Sequence, residues 1–213
     1  MFRILFYCLG AFSTALGVVI TINANLGVSP ITSLPYVVSL VTKIDIGILF
    51  VVLFVFIIIL QIVLLGKDFK WINLTQIFIS SLFGYFVVVA EFIVGDFTLP
   101  SYPGRFLMLL TGNFLISLGV TMYVDAKLVP MPAEGLATAL AQKLNRPFYQ
   151  MKLTIDSGFA LSALIISIAV FGRLYGLREG TIIGAVLIGW MIKFIQKAIK
   201  PVMNKLCFDQ TSL

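Results

Sequence analysis

The sequence contains no histidine, only two cysteines and few charges. Without histidine the chain lacks the usual general base, the commonest metal ligand and the ordinary pH switch. No nucleophile-base motif takes its place, so an intramembrane enzyme is disfavoured and no catalytic residue is expected. Cys8 and Cys207 stand near opposite ends of the chain, with no C-x-x-C or metal-ligand spacing, which suggests neither a disulfide framework nor a metal site. Charged residues make up 11% of the chain, against about 25% in an ordinary soluble domain. A net charge of +6 invites a nucleic-acid reading, but the basic residues sit in short loops and at the C-terminus, which is the pattern of membrane topology. No nucleic-acid partner is expected, and no cofactor.

What the chain has instead is long apolar runs. Hydrophobic residues make up 60% of the sequence and the mean hydropathy is +1.09. At about 20 apolar residues per crossing, 213 residues hold roughly six to eight spans and leave no room for a separate soluble domain. The expected organisation is a single membrane domain, 1–213. Ile4 to Ile22, Ile46 to Leu65 and Phe106 to Val124 are charge-free and long enough to cross. Ile72 to Val94 crosses with Glu91 near its end, Leu153 to Phe171 carries Asp156, and Gly180 to Ile199 carries Lys193 and Lys197. The first run lacks a small-residue cleavage site and is read as a mature span, not a signal peptide.

Two segments break the pattern. Pro30 to Thr42 and Pro132 to Leu144 predict helices of 13 residues, about 20 Å long, against an apolar core about 30 Å thick. Each opens on a proline, tolerated at the first helical position, and each follows an irregular stretch. They are expected to be half-helices that enter the membrane without spanning it.

An offset of 102 residues superposes the two halves from Gly10 to Leu34 with 9 identities in 25 positions, among them Gly10 on Gly112, Gly17 on Gly119 and Pro30 on Pro132. Paired glycines and prolines carry the most weight in so apolar an alphabet, and the chain reads as two repeats, 4–94 and 106–199. Three spans and one re-entrant half-helix per repeat would invert the second unit, as in many secondary transporters. Charge counting agrees. With a cytoplasmic N-terminus, Arg3, Lys67, Lys70, Lys127, Lys143, Arg146, Lys197, Lys200 and Lys205 fall inside and Lys43, Arg105, Arg173 and Arg178 outside, nine against four. If both short helices crossed, giving eight spans in parallel repeats, the count would be eight against five, so that alternative stays open.

The polar residues inside apolar runs are the candidate site. An ionisable side chain there costs roughly 2.5 to 3.5 kcal/mol on insertion scales and calls for a partner or a purpose. Asp156 lies about 12 Å into its helix, with Lys152 one turn earlier on the same face. Two readings stand side by side: an internal ion pair whose lysine snorkels, and a solute or proton role for Asp156. Asn23, Asn25, Ser29 and Thr32 surround the first half-helix opening; Asp125, Lys127 and Glu134 surround the second. A helix start presents unpaired N–H groups and can hold an anion. Taken singly, Ser29 and Glu134 are expected to cap their own helices. Taken together, Asn25, Ser29, Thr32, Lys127, Glu134, Lys152 and Asp156 are the expected solute-binding residues. Gln61 and Asn113 are expected to bridge helices, Gly180, Gly184 and Gly189 to permit close packing, and Trp71, Tyr102 and Tyr149 to join aromatic belts.

The segments ANLGVSPITSLPY and AKLVPMPAEGLATAL, with KLTID and GLREGTIIGAVLIG later in the chain, resemble the YczE/YitT-like family of small bacterial membrane proteins. The resemblance implies a multi-pass protein of the bacterial cytoplasmic membrane, says little about substrate and assigns no functional residue. The expectation is an all-α inverted-repeat transporter for a small polar or anionic solute, both termini cytoplasmic, with a homodimer left open. Its rival is a membrane assembly or regulatory protein without transport, whose polar residues merely hold helices together.

Overall fold

The computed structural model describes residues 2–44, 46–174 and 177–207, without the side chains of 46 and 204–207, so the Lys205 and Cys207 side chains invoked above lie outside what is described. The described residues form eight α-helices: α1 (Phe2–Asn23), α2 (Pro30–Thr42), α3 (Ile46–Leu65), α4 (Gln76–Val94), α5 (Tyr102–Asp125), α6 (Pro132–Leu144), α7 (Phe148–Phe171) and α8 (Glu179–Cys207). Six of them, all but α2 and α6, lie in stretches long and apolar enough to cross a membrane, which makes this the architecture of a polytopic membrane protein. Two short 3₁₀ turns, Gly66–Asp68 and Trp71–Thr75, fill the α3–α4 connection, so α4 begins four residues later than the apolar run at Ile72 suggests.

The two short helices keep the bounds expected of them. Proline occupies the first position of each, where no N–H is needed. Each is stopped by a residue in the left-handed conformation, Lys43 (φ 62°) after α2 and Asn145 (φ 49°) after α6. The chain leaves α1 and α5 in the same way, through Asn25 (φ 51°) and Lys127 (φ 53°).

The centre of the molecule is the crossing of α1 and α5. A side chain on Gly17 would put its Cβ 2.5 Å from the Gly112 carbonyl oxygen, and one on Gly112 would stand 2.8 Å from the Gly17 carbonyl. Gly10 and Gly119 meet in the same fashion nearer the other end. Glycine is required here because the two backbones touch. Since 10 lies against 119 and 17 against 112, the helices run antiparallel. Arg3, at the start of α1, accordingly donates to the carbonyls of Ala126 (3.0 Å) and Lys127 (2.7 Å) just past the end of α5.

Around this pair, α4 packs on α1 and α8 on α5, while α2 lies on α7 and α6 on α3. The end of α1 sits beside the end of α4: Asn23 Nδ2 donates to the carbonyl of Gly95 at 2.8 Å, and Thr98 Oγ1 donates to the Asn23 carbonyl at 2.9 Å. The start of α8 joins the same face, Gly180 N donating to Leu26 O at 2.8 Å and Thr181 Oγ1 to Val28 O at 2.6 Å. α7 and α8 pack closely, a Cβ on Gly189 standing 2.9 Å from Leu153 Cβ. α3 and α4 meet through Gln61 and Gln76 at one end and otherwise stand apart, with a cleft of about 210 Å³ lined by Phe50, Val51, Phe54, Val55, Ile77, Ser80 and Ser81 between them.

Candidate functional site

The site is built by the two short helices and the start of α7. Lys152 lies one turn into α7 and is 4% exposed; its Nζ donates to Asp156 Oδ1 at 2.9 Å and to Glu134 Oε1, on α6, at 2.9 Å. Asp156 is 2% and Glu134 7% exposed. Burying charges this completely costs several kcal/mol per ion, and only close pairing offsets it. Two carboxylates share one ammonium, so with all three ionised the group carries a formal charge of −1.

Glu134 is therefore not a helix cap. It occupies the third position of α6, whose N-cap residue Met131 makes no side-chain cap, and the Glu134 carboxylate turns to Lys152 instead. Ser29 does stand at the N-cap position of α2, yet its hydroxyl is hydrogen-bonded to Thr32 Oγ1 at 2.7 Å and caps no backbone group. Both expectations of simple capping are corrected by the same physics: each side chain has a nearer polar partner than its own backbone. Neither short helix has its first N–H groups satisfied by the side chain of its N-cap residue.

One cavity of about 470 Å³ joins these elements. Ser29, Pro30 and Thr32 of the first opening line it, with Pro132 and Glu134 of the second and Lys152 and Asp156 of α7. Apolar side chains, among them Phe50, Phe54, Phe83, Val87, Ile116 and Ile188, form most of the remaining wall. Five of the seven expected residues thus share one space. The other two do not. Asn25 and Lys127 are exposed, in the left-handed turns that end α1 and α5, where their carbonyls accept from Arg178 (3.0 Å) and Arg3 (2.7 Å). Asp125 also stays outside, accepting from Gln196 Nε2 at 2.8 Å, and Asn23 binds the α4–α5 loop.

Three further residues, Tyr123, Phe50 and Phe54, line the cavity without any local mark in the sequence. Tyr123, 1% exposed, lines the cavity with its hydroxyl turned to the Glu134 carboxylate, although no direct bond there meets full hydrogen-bond geometry. Phe50 and Phe54 face the same space from α3. Phe50 and Phe54 stand 102 residues before Lys152 and Asp156, the offset at which the sequence predicts a repeat.

The supporting structure around α6 is polar as well. Gln61 of α3 and Gln76 of α4 exchange amide hydrogen bonds at 3.0 Å, and Gln61 Nε2 also donates to the Pro132 carbonyl at 3.1 Å. This is the bridging role expected of Gln61. Asn113, expected to do likewise, is buried with its Nδ2 unpartnered, against Gly184. Gly180 and Gly189 lie against backbone of Leu26 and Leu153, as close packing requires.

Residues 1–197 match the sequence model of DUF6198, a family of unknown function, and the chain belongs to that family. No curated protein and no solved structure matches the chain.

Proposed function

We propose that this protein is a secondary carrier for a small polar solute, built as an inverted repeat, with its solute site in the cavity between the two half-helix openings. The observation that carries the reading is that single cavity, lined by both openings and by the buried Glu134, Lys152 and Asp156. Broken or short helices whose starts meet inside the bundle are how such carriers hold solutes.

Several features support the inversion. The helix bounds 23, 30, 42 and 46 recur at 125, 132, 144 and 148, and the left-handed residues 25 and 43 recur at 127 and 145, all at the offset of 102. The glycine contacts are reciprocal, residue 10 meeting the counterpart of 17 and 17 the counterpart of 10, as a two-fold relation requires. Parity separates the two topologies. If α2 crossed, α1 and α5 would be parallel and the end of α4 would lie opposite the end of α1. Their antiparallel crossing and the bond from Asn23 to Gly95 fit three crossings per repeat. In that arrangement the nine-to-four basic count puts both termini in the cytoplasm, and a bacterial cytoplasmic membrane is the setting proposed from the YczE/YitT-like motifs.

The two halves differ most in one helix pair, and alternating access supplies a reason. α7 packs on α8 while their counterparts α3 and α4, beyond the Gln61–Gln76 bridge, stand apart. A carrier that rocks between two such arrangements opens one half at a time. Purified protein in detergent, heated in the presence of individual metabolites, should show a raised midpoint with its solute, since a ligand bound only by the folded form stabilises by mass action. The same solute should exchange across proteoliposomes. If it binds but never exchanges, the protein is a sensor or assembly factor and not a carrier.

A further inference from the structure

We infer that the cavity recognises a primary ammonium group carried on an apolar body, with the ammonium held among Glu134, Asp156 and Tyr123 and the body lying against Phe50 and Phe54. This names the substrate class of the proposed solute site and rests on that reading.

Charge is the first argument. Lys152 gives two of its three N–H donors to carboxylates at 2.9 Å each, and those carboxylates already more than match its charge when ionised, so it offers an incoming anion no unpaired positive charge. With all three groups ionised, the buried cluster carries a formal charge of −1 that one further positive charge balances. The second argument is independent. The Tyr123 hydroxyl is buried beside Glu134 with no direct bond of full hydrogen-bond geometry, so its oxygen keeps acceptor capacity for a donor in the cavity. An ammonium offers three donors, enough to reach that oxygen and the carboxylates together.

The third argument comes from the repeat. Positions 50 and 54 are the counterparts of 152 and 156 and face the same cavity, but they hold phenylalanine where the second repeat holds lysine and aspartate. The same cavity is therefore lined by an ionic pair and by an aromatic pair, which suits a cation with an apolar body and allows attraction between the cation and the rings. The start of α2, with Ser29 and Thr32, remains open to an oxygen acceptor on the same solute. An amine lacks one and an amino acid has one.

Three probes with one phenyl body separate the possibilities: 2-phenylethylamine, L-phenylalanine and 3-phenylpropionate, each titrated against purified full-length protein by thermal shift and calorimetry. The ammonium-bearing probes should raise the midpoint and 3-phenylpropionate should not; a stronger effect of phenylalanine would assign the α2 opening to the carboxylate. Asp156→Asn should weaken ammonium binding by at least about tenfold. Tyr123→Phe removes a hydroxyl that makes no direct bond of full geometry and leaves all three ionisable side chains in place, so it should fold nearly as well as the parent while binding the ammonium several-fold less tightly. The inference is overturned if 3-phenylpropionate stabilises as well as the amine, if neither ammonium probe binds, or if both variants bind like the parent. Binding of the amine without exchange in proteoliposomes would leave this assignment standing and end the carrier reading. Exchange of a solute that carries no ammonium would do the reverse.

Discussion

Lys152 is held by two acids from different helices, and that arrangement fixes what its removal must do. Lys152→Met leaves Glu134 and Asp156 buried and unpaired, and breaking a buried pair this way costs about 3 to 5 kcal/mol. Asp156→Asn is milder, because Glu134 still satisfies the ammonium. The triple change Lys152→Met, Glu134→Gln, Asp156→Leu removes every charge at once and should recover most of the parent's midpoint in thermal denaturation. It should not recover solute binding. Full activity in the triple variant would show that the three residues serve the fold alone. The Lys152–Asp156 pair was visible in the sequence as neighbours one turn apart on one helix. Glu134 as its third member was not, because 18 residues separate it from Lys152 and only the packing of α6 on α7 joins them. Tyr123 was equally hidden, since nothing local distinguishes a buried tyrosine whose hydroxyl is satisfied from one whose oxygen keeps acceptor capacity.

Among the elements, the α1–α5 crossing is the least tolerant. Gly119→Val would drive its side chain into the Gly10 backbone and Thr14. It should destabilise by about 1 to 3 kcal/mol or block assembly, as overpacking does. Gly158 on α7 has nothing within 4 Å of the position its Cβ would take. Gly158→Ala should leave stability unchanged or raise it by up to about 1 kcal/mol, because alanine is the better helix former. Thermal midpoints of the two variants in the same detergent make the comparison, and equal effects would contradict the close crossing. The short helices were the most legible elements, since their opening prolines and length mark both ends; the αL residues that stop them are lysine and asparagine, less conspicuous than glycine. The glycines of the crossing stood out in the sequence through their 102-residue spacing, but not as mutual contacts. Alignment pairs 10 with 112, whereas the antiparallel approach pairs 10 with 119.

At the scale of the whole molecule, the proposed topology and mechanism make separate demands. Cysteines placed at Lys67 and Lys143, both exposed between helices or at their ends, should lie on the same face and resist an impermeant thiol reagent applied to intact cells. Labelling at 67 but not at 143 would fit eight crossings instead. Composition alone made the membrane character legible, because so few charges cannot clothe a soluble surface. The separation of α3 from α4 was not legible: α3 and α7 are both apolar enough to pack, and only the assembled bundle distinguishes the open side from the closed one. The carrier reading itself is tested most directly at the floor of the cavity. In a variant lacking Cys8 and Cys207, Thr32→Cys places one thiol at the first half-helix opening. Sealed vesicles of either orientation, treated with a small impermeant thiol reagent, report which face reaches it. Alternating access predicts labelling from both faces, slowed from both by a bound solute; labelling from one face only, unaffected by solute, would contradict it.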